Sequence, residues 1–241
     1  MADRSDSPVA IVTGGGSGIG RATAEALATD GFRCILVGRR EAVLLEAAAG
    51  LATPAGHIVA DVTDPEDRAR VVERTLADHG RIDLVVHAAG VFEKREVADT
   101  TDEFFEAVLD LNLASVMALT RVAWPALVAA GGQIVLISSI AAVQAFPGNS
   151  AYAASKGGMN ALGEVIAVEG KEAGVRVITV CPGQTRTDIW AGKAPDAVLD
   201  KMMDAGGVGR LVASLVGVDR GIDIEPVVIR PMLDPWAAED T

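Results

Sequence analysis

A chain of 241 residues, half of them apolar and 22% charged, suits one large α/β domain. Its 21 basic and 33 acidic residues leave a net charge of −12. A surface that acidic repels phosphate backbones and argues against a nucleic-acid partner.

Aromatic residues are few, so the core is expected to be built from Ala, Val, Leu and Ile. Cys34 and Cys181 each sit inside an apolar run and read as reduced core residues. His57, His79 and His87 are scattered, without metal-ligand spacing, so no metal is expected. The opening MADRSDSP is polar and has no apolar stretch of the kind a signal peptide needs; residues 1–7 are expected to be disordered. The longest apolar runs are broken by Arg121, Pro125 or Gln133, short of a membrane span, so the expectation is a cytoplasmic protein with no membrane partner.

Along the chain, short β-like runs alternate with longer helical ones. VAIVTG (Val9 to Gly14) is the first strand, followed by a helix from about Ile19 to Thr29. FRCILVG (Phe32 to Gly38) precedes an Ala/Leu/Glu helix reaching about Leu51, and HIVAD (His57 to Asp61) is the third strand. Asp64, Pro65, Glu66 and Asp67 then form a strong helix start: a cap, a first-turn proline, and acids at the positive helix end.

IDLVVHAAG (Ile82 to Gly90) is the fourth strand. Thr100 with Glu103 suggests a capping box before one long helix to about Val128. QIVLISS (Gln133 to Ser139) comes next, then a helix from about Tyr152 to Ala173 and a sixth strand, VRVITVCPG (Val175 to Gly183). After a Gly-rich loop and a short helix, EPVVIRP (Glu225 to Pro231) is the seventh strand. The strands are nearly continuous apolar runs, the mark of a parallel sheet covered on both faces. No linker or repeat divides the chain. The expected fold is a single doubly wound (Rossmann) α/β domain of about seven strands, residues 1–241.

Three groups of residues carry chemistry. TGGGSGIG (Thr13 to Gly20) follows a strand and opens a helix; Gly14, Gly18 and Gly20 let the backbone approach a ligand, and the free N–H groups of the helix end suit a pyrophosphate. Tyr152, the only tyrosine, lies one helical turn before Lys156 in SAYAASKGGMN, so both occupy one helix face. A nearby cation favours the ionised phenol and brings it toward proton exchange with an alcohol or carbonyl oxygen. Ser139 ends the fifth strand at the carboxyl edge where such sheets bind ligands, and Ser138 is equally placed by sequence position.

At the end of the second strand the chain reads LVGRR. A site for NAD needs a carboxylate there to accept the ribose hydroxyls. No carboxylate stands in that stretch, and the fork of Arg39 suits a 2′-phosphate, with Ser17 able to add a bond. Arg40 either helps or only opens the next helix.

Taken together, TGGGSGIG, DVTD (Asp61 to Asp64), HAAG (His87 to Gly90), LDLNLAS, IVLISS, YAASK and CPGQTRT (Cys181 to Thr187) resemble the short-chain dehydrogenase/reductase family over nearly the whole chain. The resemblance implies Tyr152 as general acid/base and Ser139 as the residue that orients the substrate oxygen. It implies that Lys156 lowers the tyrosine pKa and holds the nicotinamide ribose, and that Asn112 maintains a water-linked proton path. Cofactor contacts implied are Gly14, Ser17, Gly18, Ile19, Gly20, Arg39, Arg40, Asp61, Val62, Ala89, Gly90, Tyr152, Lys156, Pro182, Gly183, Thr185 and Thr187.

The chain departs from the family in having Ala88-Ala89-Gly90 where an Asn is usual, which removes a side chain that supports the sheet edge. VDRGIDIEPVVIRPM is similar to the ends of NADP-dependent 3-hydroxy acid dehydrogenase-like members. Residues 188–207, with Ile189, Trp190, Met202 and Met203, correspond to the family's substrate lid, and Phe92 and Phe146 come from loops at the same edge. The expected activity interconverts a ketone or aldehyde with an alcohol, with NADP(H) preferred over NAD(H), in a homo-oligomer, tetramer or dimer. The competing readings are an NADP-sensing regulator without turnover and an epimerase or dehydratase on the same fold.

Overall fold

The computed structural model describes residues 7–237, so residues 1–6 of the expected disordered start lie outside the described residues. Seven parallel strands make the main sheet: β1 (Val9–Thr13), β2 (Arg33–Gly38), β3 (Gly56–Val59), β4 (Leu84–His87), β5 (Gln133–Ile137), β6 (Arg176–Pro182) and, after the short strands β7 (Thr185–Arg186) and β8 (Met203–Asp204), β9 (Val227–Ile229). Their order is β3-β2-β1-β4-β5-β6-β9, the doubly wound arrangement, with β7 and β8 paired separately. Thr13 is opposite both Val37 and His87, which brings the carboxyl ends of β1, β2 and β4 to one edge.

Side-chain alternation along the strands divides the core between the two faces. Ile11, Ile35, Ile134 and Val177 pack under α3 (Pro65–His79), α5 (Ser115–Ala130) and α6 (Ser150–Ala173). Ala10, Val12, Leu36 and Ile178 pack under α1 (Gly18–Thr29), α2 (Glu41–Ala49) and α8 (Ala205–Val216). Both cysteines are buried and free.

Asp64 caps α3 as its residue type suggests, its Oδ1 accepting from Glu66 N at 2.7 Å and Asp67 N at 3.1 Å. The next helix corrects the sequence reading twice. Its cap is Thr101, whose Oγ1 accepts from Phe104 N at 3.3 Å, while the Thr100 hydroxyl is turned to Glu96 O at 2.9 Å. The expected single helix is also divided, into α4 (Asp102–Leu109), a π turn (Asp110–Ala114) and α5. The widened turn carries Asn112 to a fully buried position.

By length and composition this continuous 29-residue stretch, Asp102–Ala130, could cross a membrane, contrary to the expectation that no run is long enough. Arg121 and Pro125 do not interrupt the helix itself. Its Val116, Leu119, Ala123 and Leu127 are buried in the core, the role of a core helix. Helix α8 lies across α1 where Gly209 meets the Ala22 backbone; a Cβ there would sit 2.4 Å from Ala22 O.

Candidate active site

A cavity of about 950 Å³ opens at the carboxyl edge of the sheet. Its floor is the glycine loop between β1 and α1, and its far wall is the start of α6. Gly14 has φ +66°, and a Cβ on it would lie 2.8 Å from Ala88 O; one on Gly20 would lie 2.4 Å from Gly14 O. Only glycine fits at either position. Ser17 is the N-cap of α1 but its hydroxyl makes no capping bond, so the hydroxyl is left beside the first-turn N–H groups. That open helix end, together with a cradle that side chains would fill, is the donor set a pyrophosphate needs.

The Ala88-Ala89 loop, which lacks the family's Asn, is held from the neighbouring strand. Thr13 Oγ1 accepts from Ala88 N at 3.1 Å and Ala89 N at 3.2 Å and donates to Val86 O at 3.3 Å. The expected weakness at this edge is therefore made good by Thr13. His87 points away from the cavity into the core, 3% exposed, with Nε2 3.0 Å from Thr120 Oγ1. Burial pushes its pKa down to about 3, so it stays neutral and takes no part in proton transfer at working pH.

The two serines at the end of β5 differ in their partners. Ser138 Oγ donates to Lys156 O at 3.2 Å and so ties β5 to α6. Ser139 accepts from Ala141 N at 3.1 Å and lies on the cavity wall next to Tyr152. Lys156 is buried; its Nζ donates to Ile137 O at 2.8 Å and lies 5.8 Å from the Tyr152 ring centroid. Loss of hydration lowers the Lys156 pKa to about 8.

The phenol shifts the other way from the sequence expectation. Burial raises its pKa, and the Ser139 hydroxyl only partly opposes that. The ammonium is committed to the Ile137 carbonyl, so desolvation governs the phenol here. Tyr152 is thus a neutral O–H at neutral pH. Phe92 packs edge-on against it with centroids 5.0 Å apart, and Trp190 meets Phe92 at 5.3 Å.

Asn112 does not reach the cavity. It donates to Val91 O at 3.0 Å and to Ser155 Oγ at 3.1 Å, and accepts from Val91 N at 2.9 Å. It therefore pins the loop after β4 to α6 beneath the site.

Most other expected residues line the main cavity: Gly14, Ser17, Gly18, Ile19, Gly20, Arg40, Ala89, Gly90, Pro182, Gly183, Thr185 and Thr187. Arg39, Asp61 and Val62 instead line an adjoining cleft of about 180 Å³ at the ends of β2 and β3, with Gly38 and Arg40. Arg39 lies 3.9 Å from Asp61, which also accepts from Thr63 Oγ1 at 2.7 Å; the Thr63 bonds hold the Asp61 carboxyl below its usual range. Phe146, Ile189 and Trp190 join the wall, whereas Met202 is buried away from it.

Sequence reading missed Asn149, Gln144, Arg230, Pro231 and the stretch from Leu233 to Trp236, all of which border the cavity. No local pattern marks them. Trp236 arrives only because the chain turns back over the site after β9, to lie 6.4 Å from Trp190.

Fold and site together define a dinucleotide-binding oxidoreductase. A family model described as short chain dehydrogenase matches residues 8–213, and the chain belongs to that family. An uncharacterized oxidoreductase of Staphylococcus epidermidis is 29% identical over 225 residues, covering 93% of this chain and 97% of that protein. A probable oxidoreductase, EphD, of Mycobacterium tuberculosis is 38% identical over 185 residues, 75% of this chain but only 31% of that longer protein. In structure, the chain is similar to an alcohol dehydrogenase from the archaeon Thermococcus sibiricus complexed with 5-hydroxy-NADP, with a TM-score of 0.87, 24% identity and coverage of 96% and 99% of the two chains.

Proposed function

We propose that this protein is an NADP(H)-dependent oxidoreductase that interconverts a ketone or aldehyde with an alcohol. The observation that carries this is the shared cavity: Ser139, Tyr152 and Lys156 on one wall, and an uncapped, glycine-lined helix end on the other. The glycine loop and Ser17 would hold the pyrophosphate, Lys156 and Thr187 the nicotinamide end, and Arg39, Arg40 and Asp61 the adenosine end. When bound, the cofactor supplies or accepts the hydride.

The chain's own task is the proton. A substrate oxygen between Ser139 and Tyr152 accepts two hydrogen bonds, and the phenol O–H is the group that gives it a proton as the oxygen becomes an alkoxide. A phenol kept protonated by burial has the proton in hand for the reduction direction and takes it back in the reverse one. Asn112 acts beneath this, fixing the geometry of the loop and α6.

NADP is assigned because Gly38 offers no carboxylate to repel a 2′-phosphate and Arg39 and Arg40 border the cleft beside it. The relative solved with 5-hydroxy-NADP supports the same choice. Residues 188–207 act as the lid: Lys193 Nζ bonds Phe92 O at 2.6 Å, linking that segment to the loop after β4. Phe92, Phe146 and Trp190 make the substrate side apolar.

Within that class, the C-terminal likeness points to a 3-hydroxy acid, and Arg230 at the rim, bonded to Gln144 Oε1 at 3.0 Å, is the cation its carboxylate would meet. The exposed Met117 of α5, with Val165 and Val168 of α6, supports a homo-oligomer, dimer or tetramer, formed through these helices. The acidic composition supports a small-molecule substrate over a nucleic-acid partner. The direct test is NADPH oxidation against ketones, aldehydes, keto acids, keto esters and quinones: net consumption with a ketone supports the reading, and none with any member of the panel defeats it.

A further inference from the structure

After β9 the chain turns back across the mouth of the main cavity, where Leu233, Asp234, Pro235 and Trp236 join its lining. Pro235 is buried, whereas Met232 and Leu233 just before it stand 99% and 71% exposed. The tail is therefore seated at its end and not packed along its length. Trp236, half exposed, meets Trp190 of the lid with ring centroids 6.4 Å apart and planes inclined at 55°. Lys94 Nζ, from the loop after β4, lies 5.7 Å from the same indole. Rings whose centroids are about 4.5–7 Å apart are already in contact and leave no slot for a third. The two tryptophans thus bar the mouth where they meet.

The two sides of that contact are fastened differently. On the lid, Met203 N donates to Gln184 O at 3.0 Å, Arg186 pairs with Asp200 at 2.9 Å, and Lys193 Nζ donates to Phe92 O at 2.6 Å. The main chain of residues 232–237, among the described residues, bonds only within its own turn. There Asp234 accepts from Trp236 N at 3.0 Å and Ala237 N at 3.1 Å. Side-chain contacts hold this tail in place: Pro235, Trp236 and, at its root, Arg230 on Gln144 Oε1 at 3.0 Å. Such a segment lifts without breaking a main-chain bond to the rest of the fold, and the lid does not.

We infer that Trp236 is a specificity-determining residue that selects substrate length: the tail closes the mouth against a fastened lid, and a substrate reaching past Trp190 enters only when the tail lifts. This rests on the proposed carbonyl–alcohol reaction and adds which segment sets the size it accepts. A short aryl ketone stays inside, against Phe92, whose ring meets Tyr152 at 5.0 Å and Trp190 at 5.3 Å. A longer one must part Trp190 from Trp236.

The test compares two ketones within each protein, so that the folded fraction cancels. Acetophenone and 4-phenylacetophenone share the methyl ketone and differ by one outward ring. Trp236→Ala should raise the long-to-short ratio of kcat/KM with NADPH about tenfold, since it removes the ring and cation contacts that the longer ketone has to part. Lys94→Met keeps the indole and removes only its charged partner, and should raise the ratio about threefold. A ratio within about twofold of wild type in Trp236→Ala, less than the loss of either contact implies, overturns the assignment. So does a ratio that falls, because Trp236 would then carry the outer ring and not bar it.

Calorimetric binding of the two corresponding alcohols to NADP⁺-loaded Tyr152→Phe protein, with and without Trp236→Ala, reads the same ratio without turnover. If wild type reduces neither ketone yet this binding ratio rises about tenfold, the proposed reaction on these ketones fails and the bar at Trp236 stands. An unchanged binding ratio overturns the bar itself. Hydrogen exchange on the Tyr152→Phe complex identifies the moving segment: the longer alcohol should speed exchange in the peptide holding Trp236 and Ala237 and leave the one holding Met203 unchanged. Faster exchange in the lid peptide instead overturns the claim that the tail is what lifts.

Discussion

Replacing Gly38 with Asp, and Arg39 with Leu, should turn the cofactor preference from NADPH to NADH. A Cβ on Gly38 meets nothing nearer than Leu44 Cδ2 at 3.5 Å, ordinary contact, so the carboxylate enters without displacing the strand. Arg39 is 70% exposed and its one carboxylate neighbour among the described residues, Asp61, is 3.9 Å away. An exposed pair of that length contributes about 0–1 kcal/mol, so the guanidinium is free to turn to a phosphate. One charge-assisted bond to the phosphate contributes about 1.5–3 kcal/mol, or roughly ten- to a hundredfold in binding. Wild type should therefore show kcat/KM for NADPH over NADH in that range. Arg39→Leu alone should erase most of it, and the double variant should invert it. The assay is steady-state kcat/KM for both cofactors in all three proteins with one ketone. Wild type that favours NADH, or Arg39→Leu with a ratio within about threefold of wild type, would refute the reasoning.

Two further predictions concern pH. Lys156 has a pKa of about 8 in the fold against an ordinary 10.5, so between those values the native chain sheds a proton that the unfolded chain keeps. Stability to urea from this group should rise over that window by about 1.4 kcal/mol per pH unit, while NADPH affinity, read by fluorescence titration, should fall as the ammonium is lost above about 8. Lys156→Met should flatten both trends. His87 stays neutral to about pH 3 in the fold but protonates near 6.5 when unfolded, so its contribution is complete above 6.5 and lost as pH falls through 3. His87→Gln should reduce the acid-side slope of unfolding free energy by about 1.4 kcal/mol per pH unit; an unchanged slope would show that His87 is not the titrating group.

The sheet was legible because each strand is a continuous apolar run closed by turn residues, and the glycine loop because strand and helix flank it. Local sequence could not separate Ser138 from Ser139. That choice depends on α6, which takes the Ser138 hydroxyl through Lys156 O. The sign of the Tyr152 shift was also hidden, since spacing places a cation near the phenol but does not reveal that Ile137 O already holds it or how much water the cavity excludes. The π turn at Asn112 leaves no compositional trace, because the helical pattern continues through it. Asn149 and Trp236 reach the site through loop and tail paths that only the folded sheet edge defines.

The central claim is that Tyr152 gives the proton, and Tyr152→Phe tests it most directly. The ring and its edge contact with Phe92 are kept while the O–H is removed. The measurement is kcat for NADPH-dependent reduction of a ketone that wild type turns over, beside NADPH affinity in the same two proteins. The account predicts a loss of about 10²–10⁴-fold in kcat with cofactor affinity within a few-fold of wild type. A variant that retains kcat within a few-fold would contradict it.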